Sequence, residues 1–179
     1  VQYGIDPHDD SNNLLVADNS VHNNGTHGII ASKRCFNNEI IGNISYNNKL
    51  HGIMLDRSSN NNIVQNNVTY GNVDGITLYD SNYNIITGNN IYENKQGVRL
   101  NQNASANYIE NNQISSNKTG FHIYGGANKN FFIQNIVKNN ELGVSIQNAT
   151  DNVLYANFGP TDNKKDGFIT AALSTNEVK

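Results

Sequence analysis

Apolar residues recur along the chain in short segments that are separated by polar stretches. Seven of these segments begin with a glycine, at positions 4, 28, 52, 75, 97, 120 and 143, and continue with apolar residues at alternate positions. A period of 22 to 24 residues is typical of solenoids, in which successive turns of the chain, here called coils, stack on one another. Residues one period apart therefore become neighbours in vertical columns.

Two further apolar segments occur in each coil. The second follows each glycine by about ten to twelve residues, as in Ile40-Ile41 and Ile63-Val64. The third occurs at Val21, Ile44, Val68, Ile91, Ile114 and Ile136. Three strands per coil predict an all-β fold, a right-handed parallel β-helix of about seven coils. A leucine-rich or helical solenoid is disfavoured because leucine is sparse and no segment keeps an apolar period of 3.6 residues.

The β-helix is expected to span residues 1–158. Beyond Phe158-Gly159-Pro160 the spacing breaks, so residues 159–179 are interpreted as an irregular end with at most a partial last coil at 166–170. The chain begins in mid-repeat without a starting Met, and we therefore expect that it lacks its natural N-terminus.

Asparagine is the compositional outlier, with 37 residues among 179. Asparagine disfavours helix interiors, tolerates left-handed turn conformations and bonds neighbouring backbone groups. One column precedes the second apolar segment, at Asn13, Asn62, Asn84, Asn107, Asn130 and Asn152. Another follows it, at Asn19, Asn43, Asn67, Asn89, Asn112, Asn135 and Asn157. Stacked about 4.8 Å apart, these side chains are predicted to form amide ladders at the corners of the coils.

Charge and composition exclude several partners. The net charge is −3 and the twelve Lys and Arg residues form no basic run, so nucleic acid is not expected as a partner. No apolar stretch approaches the roughly 18 to 20 residues of a membrane span. The single cysteine, Cys35, rules out an internal disulfide. We expect a monomer.

Titratable groups are concentrated on the outward face of the first strand, at Asp6, His8, Asp9 and Asp10. The period places other polar residues in the column above His8: Ser32, Asp56 and Tyr79. Cations come just past that column: Lys33, Arg34 and Arg57. A row of acids, bases and cations on a flat strand face suits an extended polymer that lies across the coils.

These residue types suit proton abstraction from a carbon atom. A histidine near neutrality can remove a proton from carbon if that carbon is acidified. The C5 proton of a uronic acid lies next to a carboxylate, and a cation over that carboxylate stabilises the charge that forms. His8 is the candidate base, and Lys33 or Arg34 is the candidate cation. The candidate proton donors are Tyr3, Tyr79 and water.

At these residues the sequence resembles the mannuronan (alginate) C5-epimerases, most closely their periplasmic branch. The resemblance covers roughly residues 2 to 100. It is carried by Tyr3-Gly4-Ile5-Asp6-Pro7-His8-Asp9, Ala17-Asp18-Asn19, His27-Gly28-Ile29-Ile30, Ser45-Tyr46-Asn47-Asn48-Lys49-Leu50, Leu55-Asp56-Arg57 and Asp74-Gly75-Ile76-Thr77-Leu78-Tyr79.

The resemblance implies that His8 removes the C5 proton, that Asp6 and Asp9 hold or polarise it, and that a cation neutralises the substrate carboxylate. Lys33 stands where the periplasmic branch has arginine and Arg34 comes next, so the choice between them stays open. The secreted branch implies Tyr3 as donor, but an aspartate of that branch falls at Ser32 here. The partner implied is an anionic, alginate-like polysaccharide, with a periplasmic or extracellular location.

Several residues beyond the first strand are further candidates. Their columns predict substrate contacts at Asp56, Arg57, Tyr79, Arg99 and His122. His27 and His51 form a pair that is read as corner residues rather than as metal ligands, one carboxylate short of a site. The chemistry requires no cofactor, and calcium binding stays open.

Two other functions stay open. A polysaccharide lyase begins with the same proton abstraction and then expels the C4 substituent. A non-catalytic carbohydrate-binding solenoid of the cell surface or periplasm would bind uronate polymers without turnover.

Overall fold

The computed structural model describes residues 1–157, 159, 162–170 and 176–178, and every regular element in them is a β-strand. The strands form three parallel sheets that wrap around one core. This confirms the predicted all-β parallel solenoid. Phe158 and Pro160, at the expected end of the β-helix, lie outside the described residues.

Each sheet collects one strand from successive coils. Sheet I contains β1 (Leu15–Ala17), β4 (Glu39–Ile41), β7 (Ile63–Gln65), β10 (Ile85–Thr87), β13 (Tyr108–Glu110), β16 (Phe131–Ile133), β19 (Val153–Tyr155) and β21 (Glu177–Val178). Sheet II contains β2 (Ser20–His22), β5 (Ile44–Tyr46), β8 (Val68–Tyr70), β11 (Asn90–Tyr92), β14 (Gln113–Ser115) and β17 (Ile136–Lys138). Sheet III contains β3 (Ile29–Ser32), β6 (His51–Asp56), β9 (Asp74–Tyr79), β12 (Gln96–Asn101), β15 (Thr119–Tyr124), β18 (Leu142–Gln147) and β20 (Lys165–Thr170).

In the described residues, six coils contribute a strand to all three sheets, rather than the seven or so expected. The difference lies in the first segment, which makes only two isolated bridges, Ile5 to Ile29 and His8 to Ser32. Pro7 between them has no backbone N–H to donate to a neighbouring strand. His8 nevertheless sits in register over the next coil.

The hydrophobic core lies between the three sheets. In sheet III the first and third residues after each glycine point inward, as Ile53 and Leu55 do in β6. Ile30 and Met54, at the positions between, are covered but do not belong to the core cluster. The alternation predicted from the sequence is therefore confirmed in sheet III.

In three coils of sheet II, the residue that enters the core lies one position after the predicted one. Ser45 and Thr69 are fully buried, whereas Ile44 is 42% exposed. In β17, Val137 rather than Ile136 enters the core. Ser45 tolerates burial because its hydroxyl donates a hydrogen bond to the carbonyl of Gly52 at 2.7 Å.

Three ladders of buried asparagines hold the coils in register. In each ladder, the side-chain oxygen of one asparagine accepts hydrogen bonds from the asparagine of the preceding coil. The ladder before sheet I contains Asn38, Asn62, Asn84, Asn107, Asn130, Asn152 and Asn176. The ladder after it contains Asn19, Asn43, Asn67, Asn89, Asn112, Asn135 and Asn157.

The third ladder precedes sheet III and was not predicted. It contains Asn24, Asn48, Asn72, Asn94, Asn117, Asn140 and Asn163. One predicted member of the ladder before sheet I was also wrong. Asn13 lies outside it, and Leu14 donates its N–H to Asn38 at that position.

The residue before each ladder asparagine often has a positive φ, for example Gly42 at +67° and Asn66 at +54°. Glycine and asparagine adopt this left-handed conformation at least cost. The corners thus explain why both residue types are frequent. Among the described residues, no helix has the length and apolar character needed to cross a membrane.

Replacing Asn67 by Ala tests the ladders. Asn67 is buried, its amide donates to the Ile40 carbonyl and to Asn89, and its oxygen accepts from Asn43. The variant leaves buried backbone groups without partners, so the free energy of unfolding should fall by roughly 3 kcal/mol in urea denaturation. Asn90→Ala, at an exposed strand position, is the matched control and should change it by less than about 0.5 kcal/mol. Equal losses in the two variants would contradict a special role for the ladder.

Candidate active site

A shallow depression opens on the outer face of sheet III at its first coils. The volume of the depression, including the part that is open to solvent, is about 430 Å³. The parallel register brings together His8, Ser32 and Asp56, one from each of three successive coils. The residues that line the depression are Tyr3, Asp6, His8, Ile30, Ser32, Lys33 and Arg57.

His8 is half exposed, and its Nδ1 lies 2.6 Å from Asp9 Oδ2. The hydrogen bond from His8, followed by that from Lys33, holds the pKa of the Asp9 carboxyl below its ordinary value of 3.8. Asp9 is therefore ionised at neutral pH and can only accept, so Nδ1 of a neutral His8 carries the proton. The lone pair then resides on Nε2, which has no protein partner among the described residues.

Two cations line the depression together with His8. Lys33 Nζ lies 3.3 Å from Asp9 Oδ1, one coil beyond His8. Arg57, two coils beyond, donates from Nε to Asp56 Oδ2 at 2.6 Å. Asp56 is only 5% exposed, and its carboxylate also accepts a hydrogen bond from the Ser32 hydroxyl at 2.9 Å. Asp56, predicted to contact substrate, is thus a buried support that holds Arg57 at the depression.

Arg34 has a different environment from Lys33. It makes a bidentate ion pair with Asp10, at 2.7 Å from Nε and 2.6 Å from the terminal nitrogen. Arg34 does not belong to the residues that line the depression, whereas Lys33 does. This pairing was missed from the sequence, although the 24-residue period already placed Arg34 beside Asp10.

Asp6 and Tyr3 border the depression in different ways. Asp6 is exposed and lines it, but the carboxylate that contacts His8 belongs to Asp9 rather than Asp6. Tyr3 is 36% exposed, and its ring stacks on that of His27. The first segment therefore supplies an imidazole, two carboxylates and a phenol to the same site, and one of the carboxylates is hydrogen-bonded to the imidazole.

The other predicted contacts lie farther along sheet III, outside the lining of the depression. Tyr79 is half-buried in the coil above Asp56. Arg99 lies 3.0 Å from the Asp74 carboxylate. His122 stacks on Tyr124 with 4.4 Å between ring centroids, and burial, followed by the charge of Arg99, lowers its pKa. These side chains form an extension of the same face rather than part of the depression.

His27 and His51 lie on the outer face of sheet III, next to Asp74. His51 Nδ1 is 2.8 Å from Asp74 Oδ2, and its Nε2 is 3.3 Å from a terminal nitrogen of Arg99. Burial, followed by the charge of His51, lowers the pKa of His27 from 6.5 to about 4. The described residues contain no group of three or more His, Cys, Asp or Glu side chains arranged to hold a metal ion.

The family model described as a right-handed β-helix region matches residues 9–158. None of the curated proteins matches the chain. The solved structures provide more specific similarities.

The periplasmic alginate epimerase AlgG is 30% identical with a TM-score of 0.61, over 99% of this chain and 42% of that one. The A-module of the Azotobacter vinelandii mannuronan C-5 epimerase AlgE4 is 22% identical with a TM-score of 0.83, over 98% of this chain and 56% of that one. The pectate lyase Pel9A is 18% identical with a TM-score of 0.58, over 94% of this chain and 54% of that one. At these identities the last two matches show the fold alone. The chain spans about half the length of these proteins.

The lowered pKa of His27 predicts an acid-sensitive stability. Between pH 6.5 and about 4 the unfolded imidazole binds a proton that the folded one does not, so stability falls as the pH falls through this window. The free energy of unfolding should decrease by roughly 3 kcal/mol across it, with His122 acting in the same direction. Urea unfolding at several pH values measures the decrease. His27→Phe should flatten the profile, and an unchanged slope in that variant would refute the assignment to His27.

Proposed function

We propose that this chain, which belongs to the right-handed β-helix family, is a C5-epimerase that converts mannuronate to guluronate units within a uronic-acid polysaccharide. One observation carries the proposal. His8 lines the same depression as Lys33 and Arg57, and its Nδ1 is held by the hydrogen bond to Asp9, which leaves the lone pair of the neutral ring on Nε2. A base beside cations suits abstraction of a proton next to a carboxylate.

In the proposed reaction, the carboxylate of a mannuronate unit lies against Lys33 or Arg57. His8 takes the C5 proton on Nε2, and the electron pair left on C5 delocalises into the neutralised carboxylate. Asp9 stabilises the imidazolium that forms, since it accepts from Nδ1. A proton from the Tyr3 hydroxyl, or from water, then returns to C5 on the opposite face of the ring and inverts it.

The choice between the two candidate cations favours Lys33. Arg34 is engaged by both oxygens of Asp10 and lies outside the lining of the depression, whereas Lys33 lines it. Arg57 adds a second cation, held by a buried Asp56. An arginine fork matches a carboxylate with two hydrogen bonds, and Lys33 supplies a point charge.

The shape of the face supports a polymeric substrate. The depression is shallow, and the face of sheet III on which it lies continues to Tyr79, Arg99 and His122, which we propose as contacts to further sugar units. Similarity to a periplasmic alginate epimerase supports both an alginate-like substrate and a periplasmic or extracellular location. Removal of the C4 substituent after the same abstraction would instead make the protein a lyase.

The reaction is tested by incubating polymannuronate with the protein in heavy water. Guluronate units should appear with deuterium at C5 in the NMR spectrum of the product. His8→Ala should lower the rate about 10³-fold with little change in thermal stability, because the side chain is half exposed. Unsaturated chain ends without guluronate would identify a lyase. Binding of the polymer without turnover, unchanged in His8→Ala, would identify a carbohydrate-binding solenoid.

The role of the cations is tested separately. Lys33→Ala and Arg57→Ala should each lower kcat/KM about 100-fold, because each removes positive charge from the place where negative charge develops. Arg34→Ala is the matched control, since it removes an exposed ion pair outside the depression, and it should change kcat/KM by less than about threefold. A larger loss in Arg34→Ala than in Lys33→Ala would reverse the assignment.

A further inference from the structure

The ring of Tyr3 lies ahead of the first strand, where regular pairing does not hold the chain. The backbone of the following residue is hydrogen-bonded to the next coil: the N–H of Gly4 donates to the carbonyls of His27 and Gly28 at 3.1 Å each. The ring itself stacks on His27, with 5.5 Å between centroids and planes 9° apart. One face of the phenol is thus set by an imidazole of the next coil.

His27 is itself the middle member of a stack. Its ring lies parallel to that of His51, with 4.7 Å between centroids and planes 14° apart. The two histidines are 9% and 7% exposed, although they lie on the outer face of sheet III. Three rings from three successive coils therefore form one continuous column.

A buried carboxylate anchors the base of this column. Asp74 is fully buried, and its Oδ2 lies 2.8 Å from His51 Nδ1 and 3.0 Å from Arg99 Nη1. The hydroxyl of Thr77 donates to the same oxygen at 3.2 Å. A buried ionic network with several partners restricts its members to one arrangement. Asp74 thereby fixes the lowest ring of the stack.

The contact between His27 and Tyr3 uses ring faces rather than nitrogen atoms. Nδ1 of His27 has no hydrogen-bond partner among the described residues. Parallel rings at this separation gain from offset stacking, which any flat aromatic side chain of similar size provides. The imidazole is thus suited to serve as a platform for the phenol.

We infer that His27 is a positioning residue, whose ring face holds the Tyr3 phenol at the depression that contains His8. The inference rests on the proposed function and takes Tyr3, rather than water, as the group that returns the proton to C5. A small displacement of a donor from its productive geometry lowers the rate of the chemical step much more than it weakens substrate binding.

The test compares His27→Ala with His27→Phe, which removes the nitrogens and keeps a ring. His27→Ala should lower kcat for polymannuronate roughly 10-fold to 100-fold and leave KM within about twofold. His27→Phe should retain kcat within about threefold, because the stack persists. His22→Ala is the matched control: His22 stacks on Tyr46 at 4.7 Å on sheet II, outside the lining of the depression. It should leave both constants unchanged.

A second experiment measures the NMR chemical shift of the Tyr3 ring in the absence of substrate. In protein labelled at tyrosine rings, the Tyr3 signal is assigned by its loss in Tyr3→Phe. It should show the ring-current shift of a stacked phenol in the wild type and in His27→Phe, and the shift of free tyrosine in His27→Ala. A Tyr3 signal that His27→Ala leaves in place would overturn the inference, as would a kcat in His27→Phe as low as in His27→Ala.

The two readouts separate this inference from the proposed function. Absence of turnover in the wild type would count against the epimerase alone, because the ring signal still decides whether His27 holds Tyr3. Turnover that survives Tyr3→Phe, together with an intact stack, would retain the epimerase and overturn the role of His27 in catalysis.

Discussion

The ladders of buried asparagines are the constraint on which the rest of the structure depends. Each amide binds the asparagine of the next coil and most also satisfy a backbone carbonyl, so a slip of one coil by one residue would leave buried polar groups unpaired. This fixes the register of all three sheets. Residues 24 positions apart in the first coils become neighbours, and the chemistry of the protein is arranged in those columns.

The candidate site is a product of this register. The first coil contributes acids and a histidine, and the second and third coils contribute cations. The stacking pairs Asp9 with Lys33 and Asp10 with Arg34 across one coil boundary. It also brings His8 into the same depression as Lys33 and Arg57. A strand face without a deep cavity thereby obtains a polar depression, to which we assign one unit of the proposed polymeric substrate.

The sequence predicted the parts of the structure that repeat. The glycine period identified the strands of sheet III, and two of the three ladders were visible as asparagine columns. The register of sheet II was wrong at Ile44, because the residue that enters the core there is the polar Ser45, whereas the apolar Ile44 beside it is exposed. The sequence did not predict the ion pair of Arg57 with Asp56 or the stacking of Tyr3 on His27. Both contacts depend on side-chain directions rather than on spacing.

The central claim is that a uronate unit lies between His8 and the cations of the next two coils. A crystal structure of the His8→Ala variant with a mannuronate oligomer tests this most directly. We expect one carboxylate in contact with Lys33 or Arg57, and its C5 proton directed at the position of the missing imidazole, about 3.5 Å from where Nε2 would lie. An oligomer bound on another sheet, or one whose carboxylates contact neither cation, would contradict the account.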